Sequence, residues 1–112
     1  MKKKFRVKKA GEFQTIIQHK KFVSCPSFVF YVMERSQENS RIGISVGKKL
    51  GNAVVRNKIK RQVRMMFQEM YDFDEKFDGI LIVRQKYLDQ SYANNKKDLE
   101  RLIKKVKIRK YA

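Results

Sequence analysis

One cysteine, Cys25, and one histidine, His19, stand in 112 residues, with one proline, five glycines and no tryptophan. A single cysteine excludes an internal disulfide framework and a thiolate cluster for zinc. With only one histidine beside it, no metal site made of protein ligands alone is expected. Acidic residues are scarce as well: 11 Asp+Glu face 28 Lys+Arg, a formal net charge of +17. Long apolar runs are missing. The longest, FVFYVM at 28–33, is far too short for a membrane span. The basic opening MKKKFRVKKAGEF has no apolar stretch behind it, so a secretory signal is not expected. These absences point to a cytoplasmic protein with no membrane association.

What is present is a folded body. Hydrophobic residues make up 42% and aromatic residues 12%, too much for a disordered basic tail. The length suits one domain, residues 1–112, and no repeat, linker or low-complexity block divides it. A folded, strongly basic domain favours nucleic acid as partner, with an anionic membrane second.

Phe13, Ile16 and Ile17 share a helical face and predict a first helix over 10–19. A short strand fits near 21–24, ended by Pro26. SFVFYVME, 27–34, is rich in β-branched and aromatic residues and reads as a strand. RIGISVG, 41–47, reads as its antiparallel partner across the polar turn RSQENS. Asn52 can cap a long helix to about Tyr71, with Val55, Ile59, Val63, Met66 and Met70 in one narrow inward stripe. GILIVRQ, 79–85, suits a strand buried on both faces. Asp72, Asp74, Glu75 and Asp78 are expected in the loop between that helix and this strand. Ser91 can cap a last helix whose apolar side is Tyr92, Leu99, Leu102, Ile103 and Val106. The order is α-β-β-β-α-β-α, an α+β sandwich whose basic helix crosses over between parallel strands.

That crossover helix carries the chemistry. Arg56, Lys58, Lys60, Arg61 and Arg64, with Asn57, crowd into about two turns with no acid four residues away. Charge runs usually mean a solvated face. Here, repelling like charges weaken the helix unless a partner neutralises them. Lys48 and Lys49 precede the helix start, where free amides and the dipole attract anions. Arginine forks and the asparagine amide can bond phosphates and base edges. These features alone reach an RNA- or DNA-binding helix. Periodicity by itself leaves Phe13 as ordinary core. Tyr31 alternates with the inward Phe28 and Phe30, so its ring can face the other side of the sheet. No nucleophile–base pair and no acid cluster on a basic wall marks a catalytic residue in this chain.

The string SVGKKLGNAVVRNKIKR, 45–61, resembles the signature of the bacterial ribonuclease P protein component. RVKKAGEFQTII resembles that family's first helix, and SFVFYV with RIGISV its strand pair. The resemblance runs from about residue 5 to about residue 106. It implies a small α-β sandwich of the ribosomal protein S5 domain 2-like type, with a left-handed crossover. It also implies a subunit of an endoribonuclease that removes the 5′ leader of precursor tRNA by Mg2+-dependent hydrolysis. The catalytic RNA would hold the Mg2+ and do the chemistry; no protein partner is implied. Carried over by position, Lys48, Lys49, Arg56, Asn57, Lys58, Lys60, Arg61 and Arg64 would contact the catalytic RNA. Phe13, Ile17 and Tyr31 would line the cleft for the single-stranded leader. Two positions depart from the pattern: Lys58 replaces an arginine, losing the bidentate fork, and Ile17 replaces an aromatic. A ribosomal or general RNA-binding protein is the alternative; it explains the charge but not the string.

Overall fold

The computed structural model describes residues 1–109. The elements run α1 (Ala10–Gln18), β1 (Phe22–Ser24), β2 (Phe28–Glu34), β3 (Ile42–Ser45), α2 (Ala53–Met70), β4 (Phe77–Val83) and α3 (Tyr92–Arg109), which is the expected order. Short 3-10 turns occupy Lys3–Phe5, Lys48–Leu50 and Gln85–Asp89.

The four strands lie in the order β1-β2-β4-β3. The expected hairpin between 27–34 and 41–47 therefore does not form. β4 inserts between β2 and β3, antiparallel to the first and parallel to the second. The physical reason lies in the apolar run Gly79–Val83, which is almost wholly buried and needs a central position with both faces covered. The segment 35–41 is long enough to step over that strand. It is tied down on the far side, where Ser40 N–H donates to the Phe73 carbonyl at 2.8 Å and the Ser40 hydroxyl meets Tyr71 Oη at 2.8 Å. The parallel β3–α2–β4 crossover forms as expected. The free edge of β3 is partly covered by the N-terminal segment: Arg6 bridges Ile42, and Val7 N–H donates to the Ile42 carbonyl at 3.1 Å.

The sheet separates two apolar clusters. Phe28, Phe30, Val32, Leu81 and Val83 face α2 and α3, which contribute Ile59, Val63, Met66, Phe67, Leu99, Leu102 and Val106. Tyr31, Met33, Ile80 and Ile82 face α1, where Ile16 is buried and Phe13 and Ile17 are partly so. The inward stripe of α2 is wider than expected, because Phe67 is fully buried beside Met66. Met65, by contrast, is half exposed.

β4 begins two residues earlier than expected, and this corrects the reading of Asp78. It is a strand residue, 1% exposed, instead of part of a helix-end loop. Its Oδ1 accepts the Arg41 backbone N–H at 2.8 Å, and its Oδ2 pairs with the Arg41 guanidinium at 3.1 Å. Glu12 on α1 takes the other side of that guanidinium at 2.7 Å. The triad ties α1 to the sheet just beside Phe13. No helix among the described residues is long and apolar enough to cross a membrane.

Candidate nucleic-acid interface

The start of α2 is held by side chains that cost the cationic face nothing. Leu50 is buried and anchors the turn that presents Lys48 and Lys49 to solvent. Gly51 follows with φ 144°, a conformation that L side chains rarely adopt. Asn52 then caps the helix, its Oδ1 accepting from the Val55 N–H at 3.0 Å. With Ile59, Val63, Met66 and Phe67 inward, the opposite arc must carry the charge. Asn57, Lys58 and Arg61 are exposed there, and Arg56, Lys60 and Arg64 are half-buried.

Among the described residues, none of these side chains is in an ion pair. Among the described residues, the ion pairs join Arg41 to Glu12 and Asp78, and four further cations to Glu69, Asp98, Glu100 and Glu75. Glu69, on the same helix, is occupied by Lys96 of α3. The buried Nε atoms of Arg56 and of Arg6 have no hydrogen-bond partner among the described residues. Arg64 sits below the ordinary arginine pKa, through burial first and repulsion by Arg6 second. A cation that is disfavoured by its neighbours yet left without a carboxylate calls for an external anion.

Arg6 lies outside the residues singled out from the sequence. Periodicity could not find it, because it belongs to no helix face; the strand bridge to Ile42 brings it to α2. Arg6, Lys60 and Arg64 meet Phe13, Gly43 and Ile44 around a cleft of about 300 Å3. The cleft depends on Gly43: a Cβ there would lie 2.7 Å from Phe13 Cζ. So the structure brings Phe13 together with the C-terminal half of the cationic arc. Ile17 and Tyr31 lie on the same sheet face, packed around Val7, Ile16 and Ile80, but outside that cleft's wall. Lys48, Lys49 and Arg56 stand toward the other end of α2, with Arg56 about 12 Å along the axis from Arg64.

The acidic side chains do not assemble into a metal site. Among the described residues no group of three or more His, Cys, Asp or Glu side chains is placed to hold an ion. Asp72 Oδ1 caps the Asp74 N–H at 2.9 Å, and Glu75 pairs with Lys107 at 2.9 Å.

The family model described as Ribonuclease P matches residues 1–107. The chain belongs to the ribonuclease P protein family. The ribonuclease P protein component of Mesoplasma florum is 45% identical over 105 residues, covering 92% of this chain and 96% of that protein. The component of Bacillus cereus is 43% identical over 107 residues, covering 94% and 93%. Among solved structures, the Staphylococcus aureus RNase P protein superposes with a TM-score of 0.84 at 38% identity, over 92% of this chain and 95% of that one. The Thermotoga maritima RNase P protein gives 0.79 at 27% identity, over 89% and 96%. As a ribonuclease P protein component, the chain is part of a tRNA-processing ribonucleoprotein. That membership removes the reading as a ribosomal or general RNA-binding protein.

Proposed function

We propose that this chain binds the catalytic RNA of ribonuclease P along the outer arc of α2. In the same reading it holds the single-stranded 5′ leader of precursor tRNA on the α1 face of the sheet. Arg56, Lys58, Lys60, Arg61 and Arg64, with Asn57, are the RNA contacts; Lys48 and Lys49 extend them past the helix start. Phe13, Ile17 and Tyr31 supply apolar and aromatic surface to leader bases, a type of contact that tolerates any sequence. The observation that carries the reading is the unneutralised cationic arc running directly into the cleft that Phe13 lines.

Cleavage chemistry belongs to the RNA subunit in this reading. Mg2+ would neutralise phosphate charge and activate the attacking water there. The dispersed carboxylates of this chain do not fit a protein-held Mg2+ site, so its own work is binding: it screens phosphates, orients the leader and lowers the Mg2+ demand of the complex. The holoenzyme would act in the cytoplasm, where precursor tRNA is made.

Reconstitution tests this. The protein added to a bacterial catalytic RNA at low Mg2+ is expected to stimulate cleavage of leader-bearing precursor tRNA. Absence of stimulation at protein concentrations that saturate the RNA would refute the proposal.

A further inference from the structure

The register of the sheet lines up Gly43, Ile80, Tyr31 and Phe22 as one cross-strand row. These residues share the α1 face. Phe13 covers the Gly43 end, with its ring in contact there. At the other end, Phe22 on β1 packs against Tyr31 with ring centroids 5.2 Å apart and planes tilted by 41°. Strands are spaced about 4.8 Å apart, so the row is roughly 14 Å long. Aromatic rings thus stand at both ends of the row and at Tyr31, with Ile80 buried beneath α1 between them.

Phe22 is 44% exposed, the one aromatic among the large exposed apolar side chains of the described residues. Its burial against Tyr31 accounts for one side of the ring and leaves the rest in water. Lys20 and Lys21 precede it, both exposed and neither in an ion pair among the described residues. Lys20 has φ 61°, the backbone turn that brings the chain from α1 back to the sheet. An apolar protein partner on Phe22 would desolvate these two lysines without neutralising them. A single-stranded nucleic acid offers a flat π-face to the ring and phosphates to the ammonium groups together. β1 has only three residues, too short an edge to recruit a partner strand.

We infer that Phe22 is an additional stacking platform for a leader base, with Lys20 and Lys21 on the adjoining phosphates. The leader path then runs the length of the row, from the Arg6–Arg64 cleft past Tyr31 to the β1 edge. This rests on the leader-binding reading above and adds a position to it.

The test uses the reconstituted holoenzyme and compares binding of precursor tRNA carrying a long leader with binding of mature tRNA. Phe22→Ala is expected to weaken the leader-bearing substrate by about 5- to 100-fold, the range of one lost base stack. Mature tRNA and catalytic-RNA affinities should stay within about twofold. Phe22→Trp should restore binding, whereas Phe22→Leu, which keeps apolar bulk without a π-face, should not. Equal losses on both tRNAs, no loss at all, or full rescue by leucine would overturn the inference. If wild-type protein gave no preference for the leader-bearing substrate, the leader-binding reading itself would fall and this one with it. A wild-type preference that Phe22→Ala leaves intact would remove only Phe22.

Discussion

Salt titration of wild-type and Arg61→Ala protein on the catalytic RNA puts the cationic arc to a quantitative test. Among the described residues, Arg56, Lys58, Lys60, Arg61, Arg64 and Arg6 have no carboxylate partner, which makes six cations free for phosphates. Each neutralised phosphate contributes about −0.7 to the slope of log affinity against log salt on single strands and about −0.9 on duplex. Six contacts give a slope of roughly −4.2 to −5.4, so a fourfold rise in salt weakens binding by about 300- to 2000-fold. Lys48 and Lys49, as the further contacts proposed above, steepen it by about 0.7–0.9 each. Arg61 is exposed, so its removal subtracts one contact and leaves the fold alone. The slope should become shallower by about 0.7–0.9.

Ile59 supplies the internal control from the same helix turn. It is 3% exposed, and truncation to alanine should cost about 2–5 kcal/mol of stability. Filter binding at several salt concentrations reads the slope, and urea unfolding reads the stability. An unchanged slope in Arg61→Ala, or a melting loss in it equal to that of Ile59→Ala, would mean that α2 faces its partners the other way round.

Three further outcomes follow from the packing. Asp78→Ala should cost about 1–3 kcal/mol in urea unfolding, because it leaves the buried Arg41 backbone N–H without its acceptor and the guanidinium with Glu12 alone; no measurable loss would contradict the triad. Gly51→Ala should cost about 1–3 kcal/mol in the same assay, since φ 144° is strained for any L side chain and the new Cβ would lie 3.0 Å from Val55. Asp98 is pushed up by burial, but hydrogen bonds from Ser27 and Gln90 and the nearby Arg101 outweigh this and hold it below its ordinary value of 3.8. A depressed carboxylate contributes stability above its unfolded value and loses it as pH falls through the folded one, so Asp98→Asn should flatten the stability curve below about pH 4 and leave neutral pH unaffected in slope.

The α2 arc was legible because a helix obeys one period. Once Val55, Ile59 and Val63 are assigned inward, Lys58 and Arg61 have only solvent to face, and Asn52 marks the start by a local hydrogen bond. The last helix and β4 were legible for the same reason, through apolar spacing and an unbroken apolar run. Strand order was not, because it is decided by residues far apart in the chain. RIGISVG pairs equally well with either neighbour on local pattern; the choice falls to β4 through its need for cover on both faces. Asp78 looked like loop for a related reason. A carboxylate inside a strand makes sense only once Arg41, 37 residues earlier, is known to lie beside it. Arg6 and Phe22 were missed because each gains its neighbours through strand pairing: Arg6 by the bridge to Ile42, Phe22 by register with Tyr31.

Where the acids go explains why the arc is left bare. Glu12 and Asp78 are drawn to Arg41 at the end of the sheet, and Asp98, Glu100, Glu69 and Glu75 to α3 or its contacts. Among the described residues, neutralisation is thus concentrated at Arg41 and along α3, and repulsion along the outer arc of α2. A uniformly spread charge of +17 would be screened piecemeal by salt and would bind polyanions without orientation. Repulsion gathered along one helix, next to a cleft with an aromatic wall, is relieved best by a polyanion that follows the helix. On the proposed reading the arc would therefore orient as well as attract: a strand that relieves Arg64 and Arg6 would lie beside Phe13, which lines the same cleft.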